Sequence, residues 1–104
     1  MFIDPDNPLA AEILQEAGEV YFSACKKMVS SLEALRAFES AVGPAARDGE
    51  WVARRSLLLD DAAERVHFVL IQREAMQLSG SETFFDDYGV PAEVIARMGQ
   101  REGK

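Results

Sequence analysis

Apolar residues recur at Leu9, Ile13, Leu14, Ala17, Tyr21, Ala24, Met28, Leu32, Leu35, Phe38 and Val42, in alternating steps of three and four. That spacing holds them in one stripe of a helix with a period near 3.6. Glu12, Glu16, Glu19, Ser23, Lys26, Ser30 and Glu33 occupy the opposite side. Asn7 and Pro8 supply a start. The asparagine side chain can accept an unpaired backbone N–H, and proline suits the first helical position because its missing N–H has no partner there anyway. Gly43-Pro44 ends the run. The pattern predicts a helix over about 8–41, on the order of 50 Å long at 1.5 Å per residue. Gly18, unfavourable inside a helix, marks a candidate point of close approach.

Gly43 to Gly49 contains both glycines and Pro44 and reads as the turn of a helical hairpin, with Asp48 placed to cap the second helix. That helix is predicted over about 50–78, before Ser79-Gly80-Ser81. It carries two apolar faces. Val52, Leu58, Leu59, Ala62, Val66, Val69, Leu70 and Met76 form the first. Leu57, Phe68, Ile71 and Ala75 lie roughly opposite, by successive steps of about 100°. A helix that is apolar on two sides wants two neighbours. Two short helices complete the chain, at about 82–88 and 91–98. The first has Ser79 and Glu82 spaced as a capping box and Gly89 as a stop; the second opens at Val90-Pro91 and stops at Gly99. No strand-like alternation or internal repeat interrupts this order.

These elements predict one all-α domain over 1–104: a long antiparallel helical hairpin plus two short C-terminal helices. A hairpin cannot enclose a core alone, and the short helices can cover only part of the second face. Pairing two hairpins as a four-helix-bundle-like homodimer covers the rest. Leu57, Phe68, Ile71 and Ala75 are then the candidate interface.

Composition narrows the function more than it names it. Eighteen acidic against eleven basic side chains give a formal charge of −7. That sign repels phosphate backbones and anionic surfaces, so neither nucleic acid nor a membrane is expected as a partner. No apolar run approaches the ~20 residues that span a bilayer, and Met1 to Asp6 lacks the basic and apolar regions of a signal peptide. The expected location is cytoplasmic. The single cysteine, Cys25, excludes an internal disulfide, and its place beside the apolar stripe favours a packing role over a redox one.

Few residues offer chemistry. Glu64 and His67 stand at the Glu-x-x-His spacing by which ferritin-like bundles present metal ligands. Yet Glu64 points away from the Val66/Val69 face, and Glu12, Glu16 and Glu19 lie on the polar side of the first helix. A metal cage needs ligands that converge on one point, so no metal or other cofactor is expected. Arg73 falls on the first apolar face, where an unpaired charge is expensive. It should find a partner, with Glu39 or the Phe85-Asp86-Asp87-Tyr88 segment as candidates, or else anchor an anionic ligand. Arg54, Arg55 and Arg65 read as a solvated surface.

Glu12-Ile13-Leu14-Gln15-Glu16, Leu32-Glu33-Ala34-Leu35-Arg36, Gln72-Arg73-Glu74, Tyr88-Gly89-Val90-Pro91 and Arg97-Met98-Gly99 span nearly the whole chain. In these short motifs it resembles a family of small bacterial all-helical proteins of unknown function. The resemblance implies a fold pattern and no reaction, and it implies that the arginine segment and the tyrosine-glycine-proline turn belong to one structural unit. The functional expectation is a non-enzymatic, self-associating interaction or adaptor module. The alternative is a metal- or small-anion-binding helical dimer with enzymatic activity, using Glu64, His67 and Arg73. An acidic partner of a DNA-binding protein has only the net charge behind it.

Overall fold

The computed structural model describes residues 10–78 and 81–102. Helix α1 spans Ala10–Ala41, α2 Gly49–Ala75, α3 Phe84–Tyr88 and α4 Ala92–Glu102, with single 3-10 turns at Pro44–Ala46 and Ser81–Thr83. Every regular element among the described residues is helical. The expected start at Asn7-Pro8 and the Ser79 cap lie outside the described residues.

Three bonds between side chains fix how α1 and α2 run together. Arg73 Nη1 donates to the Tyr21 hydroxyl at 2.9 Å, Ser31 Oγ to Asp61 at 2.6 Å, and Arg55 Nε to Glu39 at 2.8 Å. Residue numbers on level positions of the two helices therefore add to about 93, which is an antiparallel hairpin. Its turn is closed by side chains. Arg47 donates to the carbonyl oxygens of Glu39 and Val42, satisfying the end of α1. The same guanidinium lies 4.6 Å from the centre of the Trp51 ring, which stacks on Phe38. Asp48 caps α2 as expected, accepting from the Trp51 N–H at 3.0 Å.

Two helix ends differ from the sequence expectation. α2 stops at Ala75, not near 78, because Gln77 adopts a left-handed φ of 58°. The Leu78 N–H then reaches back to the Arg73 carbonyl and the Gln77 N–H to that of Glu74, a Schellman ending with glutamine where glycine is usual. Gly89 makes the same ending on α3, with φ 63°, as the sequence suggests. Gly99, by contrast, is no stop. It does not take a positive φ, and α4 continues to Glu102. Glycine ends a helix through the left-handed conformation, not through its mere presence. Gly18 has nothing within 4 Å of where a Cβ would stand, so no close approach occurs there.

The core is a thin seam between α1 and α2 that α3 and α4 cover on one side. Ala24, Met28, Leu32 and Leu35 from α1 meet Leu59, Ala62, Ala63, Val66 and Val69 from α2, with Phe84, Val90, Val94 and Met98 closing over them. Val52, assigned to the buried face, is exposed. α4 begins level with Arg55, which pairs with Glu93, so no described part of α4 reaches one turn further toward the hairpin turn.

Arginines fasten the C-terminal segment to the hairpin. Arg36 Nη2 donates to the carbonyl oxygens of Tyr88 and Gly89, at 3.2 and 3.1 Å. Arg55 holds Glu39 and, with both terminal nitrogens, the Glu93 carboxylate. Arg97 reaches Asp60 at 2.7 Å and both the hydroxyl and the carbonyl oxygen of Ser56. Arg55 is thus no solvated surface charge: it ties α1, α2 and α4 together.

Candidate interaction surface

The side of the hairpin turned away from α3 and α4 carries an open groove of about 670 Å³. Its apolar lining is Ala24 between the helices, Val20 from α1 and Phe68 from α2, with Ser23 beside them and charged residues around the rest. Ala24 is buried, while Val20 is 48% and Phe68 45% exposed. Helical geometry separates this side from the covered one. α1 meets α3 through Cys25 and Arg36, and α2 meets α4 through Ser56 and Asp60. The groove residues Val20 and Lys27, and Arg65 and Phe68, project on the other flank of the same helices.

Charges ring the groove unevenly. Glu16 and Glu19 stand at one end, Lys27 and Arg65 at the other, and Glu64 shares the latter end. Arg65 makes a half-exposed pair with Asp61, 3.6 Å away, and Glu19 accepts from the Gln15 side chain. Neither contact removes the charge from the surface.

The four residues singled out as an interface do not share one surface feature. Phe68 turns into the groove. Ile71, 46% exposed, borders a second cleft of about 310 Å³ with Leu70, Phe85, Ile95 and Met98, beneath α3 and α4. Leu57 is 70% exposed and Ala75 is exposed, between the two. Single exposed apolar residues are ordinary on protein surfaces; an apolar groove with charged rims is the feature that needs explaining.

Glu64 borders the groove and His67 the cleft under α4, although at the i,i+3 spacing the two stand only about 60° apart around α2. Among the described residues no three histidine, cysteine, aspartate or glutamate side chains gather closely enough to hold a metal ion.

Arg73 does not reach Glu39, whose carboxylate Arg55 holds. Its guanidinium donates to the Tyr21 hydroxyl and lies 5.4 Å from the centre of the Phe84 ring. A ring face attracts a cation through its quadrupole, so these two contacts help a charge settle at an apolar position. Beside it, the Tyr88 phenol meets the Cys25 thiol. Burial, ahead of that contact, pushes the Tyr88 phenol above its ordinary pKa, and Arg73 opposes the shift only weakly. The half-buried Cys25 is packed here rather than presented.

Sequence reasoning missed the α1 half of the groove. Val20 sits at the border of the apolar stripe, and only the pairing with Phe68 across the hairpin gives it significance. Comparisons with family models, curated proteins and solved structures return no match. No helix among the described residues is long and apolar enough to cross a membrane.

Proposed function

We propose that this chain is a non-enzymatic, self-associating interaction module, and that two hairpins pair into a homodimeric bundle through the groove face. The observation that supports this reading is Phe68: a large apolar side chain, half exposed, sharing with Val20 a groove that no element among the described residues covers. Covering it removes apolar surface from water at roughly 25 cal/mol per Å². The seam of the hairpin is thin, so a second layer of helices also completes the core in the manner of a four-helix bundle.

Sedimentation equilibrium of the purified chain and of Phe68→Glu tests the reading. The wild type should sediment as two chains. The variant should sediment as one, with its helical content and melting cooperativity retained, because Phe68 takes no part in the intramolecular seam. A wild type of single-chain mass across micromolar concentrations refutes the reading.

A further inference from the structure

We infer that the occupant of the groove is a second copy of this chain in an antiparallel register, with the acidic end of each groove lying over the basic end of the other. The inference rests on the self-association proposed above and adds which surfaces meet, and in what order.

The levels of the hairpin carry the argument. Because level positions of α1 and α2 add to about 93, Phe68 stands level with residue 25 of α1, about one and a half turns from Val20. Arg65 stands level with residue 28, beside Lys27. The groove therefore runs about 16 Å, from Glu16 and Glu19 at one end to Lys27 and Arg65 at the other. Among the groove's own lining residues Lys27 and Arg65 are two cations against Glu64, and the Asp61 carboxylate that pairs with Arg65 stands outside the lining.

Two copies facing each other through one patch are related by a two-fold axis in the plane between them. Such an axis can cross the helices or run along them. Crossing them midway between the levels of Val20 and Phe68, it lays α1 over α1 and α2 over α2 in opposite directions. Phe68 of each copy then comes level with Val20 of the other, diagonally across the joined grooves. Glu19 arrives within about one turn of Lys27 of the second copy, and the same contact repeats on the other side of the axis. Running along the helices instead, the axis lays α1 over α2 at equal levels. That sets like ends together, Lys27 of each copy over Arg65 of the other with one Glu64 beside each pair, and leaves Glu16 and Glu19 no cation from the other groove, which disfavours the interface. The charge pattern selects the crossing axis.

Charge reversal with mixing tests the register. One variant carries Lys27→Glu and Arg65→Glu, the other Glu16→Lys and Glu19→Lys, all at groove-rim positions outside the buried seam. Light scattering should show that each variant alone dissociates at concentrations roughly tenfold or more above wild type. An equimolar mixture should regain the two-chain mass, because each variant now supplies the charges the other lacks. A mixture that remains single-chain overturns the register, as do variants that dimerise as tightly as wild type. In both cases a dimeric wild type leaves self-association standing. A wild type that is itself single-chain overturns both proposals.

Discussion

Replacing Arg55 with methionine should loosen the C-terminal segment. Among the described residues, Arg55 is the one side chain seen to join α1, α2 and α4 at once, through Glu39 and Glu93. Its side chain is 22% exposed, that of Glu39 32%, and that of Glu93 59%. A fully exposed pair is worth about 1 kcal/mol or less, whereas breaking a buried one costs about 3–5. A half-covered guanidinium with a two-pronged carboxylate contact falls between, at about 2 kcal/mol once solvent screening of Glu93 is allowed for. For a chain of this size that is a fall in Tm of roughly 10 °C. Methionine keeps an apolar stem beside Trp51, whose ring centre lies 5.9 Å from the guanidinium, so the loss reads the charge contacts and not a cavity.

Thermal unfolding followed by circular dichroism measures the fall, and amide hydrogen exchange locates it. Protection should drop first in α4, whose hold on α2 depends on Glu93 and Arg97. The pH dependence gives an independent reading. The hydrogen bonds from Arg55, ahead of any other influence, hold the Glu93 carboxyl below its ordinary range, and both partner carboxylates raise the Arg55 pKa. A depressed carboxylate contributes stability above its unfolded pKa and loses it as pH falls through the folded value. Wild type should therefore lose stability below the ordinary carboxylate range, and Arg55→Met should lose less over the same interval. A melting temperature within about 2 °C of wild type, with unchanged exchange in α4, refutes the argument that this arginine fastens the helices.

Arg73→Ala should lower Tm by an amount corresponding to about 1–3 kcal/mol, through the lost Tyr21 bond and the Phe84 ring contact, and Arg73→Met should recover part of it. An unchanged Tm in thermal scans, with loss of stabilisation by some small carboxylate or phosphate, makes Arg73 a ligand anchor instead. Gly89→Ala should cost about 1–2 kcal/mol by denaturant unfolding, since φ is 63° and the new methyl would stand 3.1 Å from Arg36 Nη2. A neutral result would mean that the α3 ending is not held in the left-handed form. The raised Tyr88 phenol contributes stability below its unfolded pKa and loses it as pH climbs through the folded value. Ultraviolet titration should show a late-ionising phenol that Tyr88→Phe removes; loss of a phenol titrating at the ordinary value contradicts its burial.

The helices were legible because their signals are local. Stripe spacing marked the long pair, Asp48 marked the start of α2, and Gly89 and Pro91 marked the break between α3 and α4. Gln77 was not legible as a stop, because a glutamine in the left-handed region is imposed by the returning chain and not by its own preference. Ala63 hid for a different reason: a small residue adds little to an apolar pattern, yet it is fully buried in the core. The groove was half legible. Phe68 stood out as apolar on the wrong side of α2, but its neighbour Val20 belongs to another helix 48 positions away. Arg55 looked like any helical surface charge until Glu39 and Glu93 were brought to it by the hairpin and by α4. Pairings across helices are set by register, and register is not written in any one segment.

The meeting of two copies through the groove is tested most directly by isotope-filtered NMR on an equimolar mixture of labelled and unlabelled chains. Cross-relaxation should appear between the Phe68 ring of one copy and the Val20 methyls of the other, a contact that the filter separates from any within a single chain. A spectrum with no intermolecular signal from Phe68, at concentrations where the chain should be dimeric, contradicts the account.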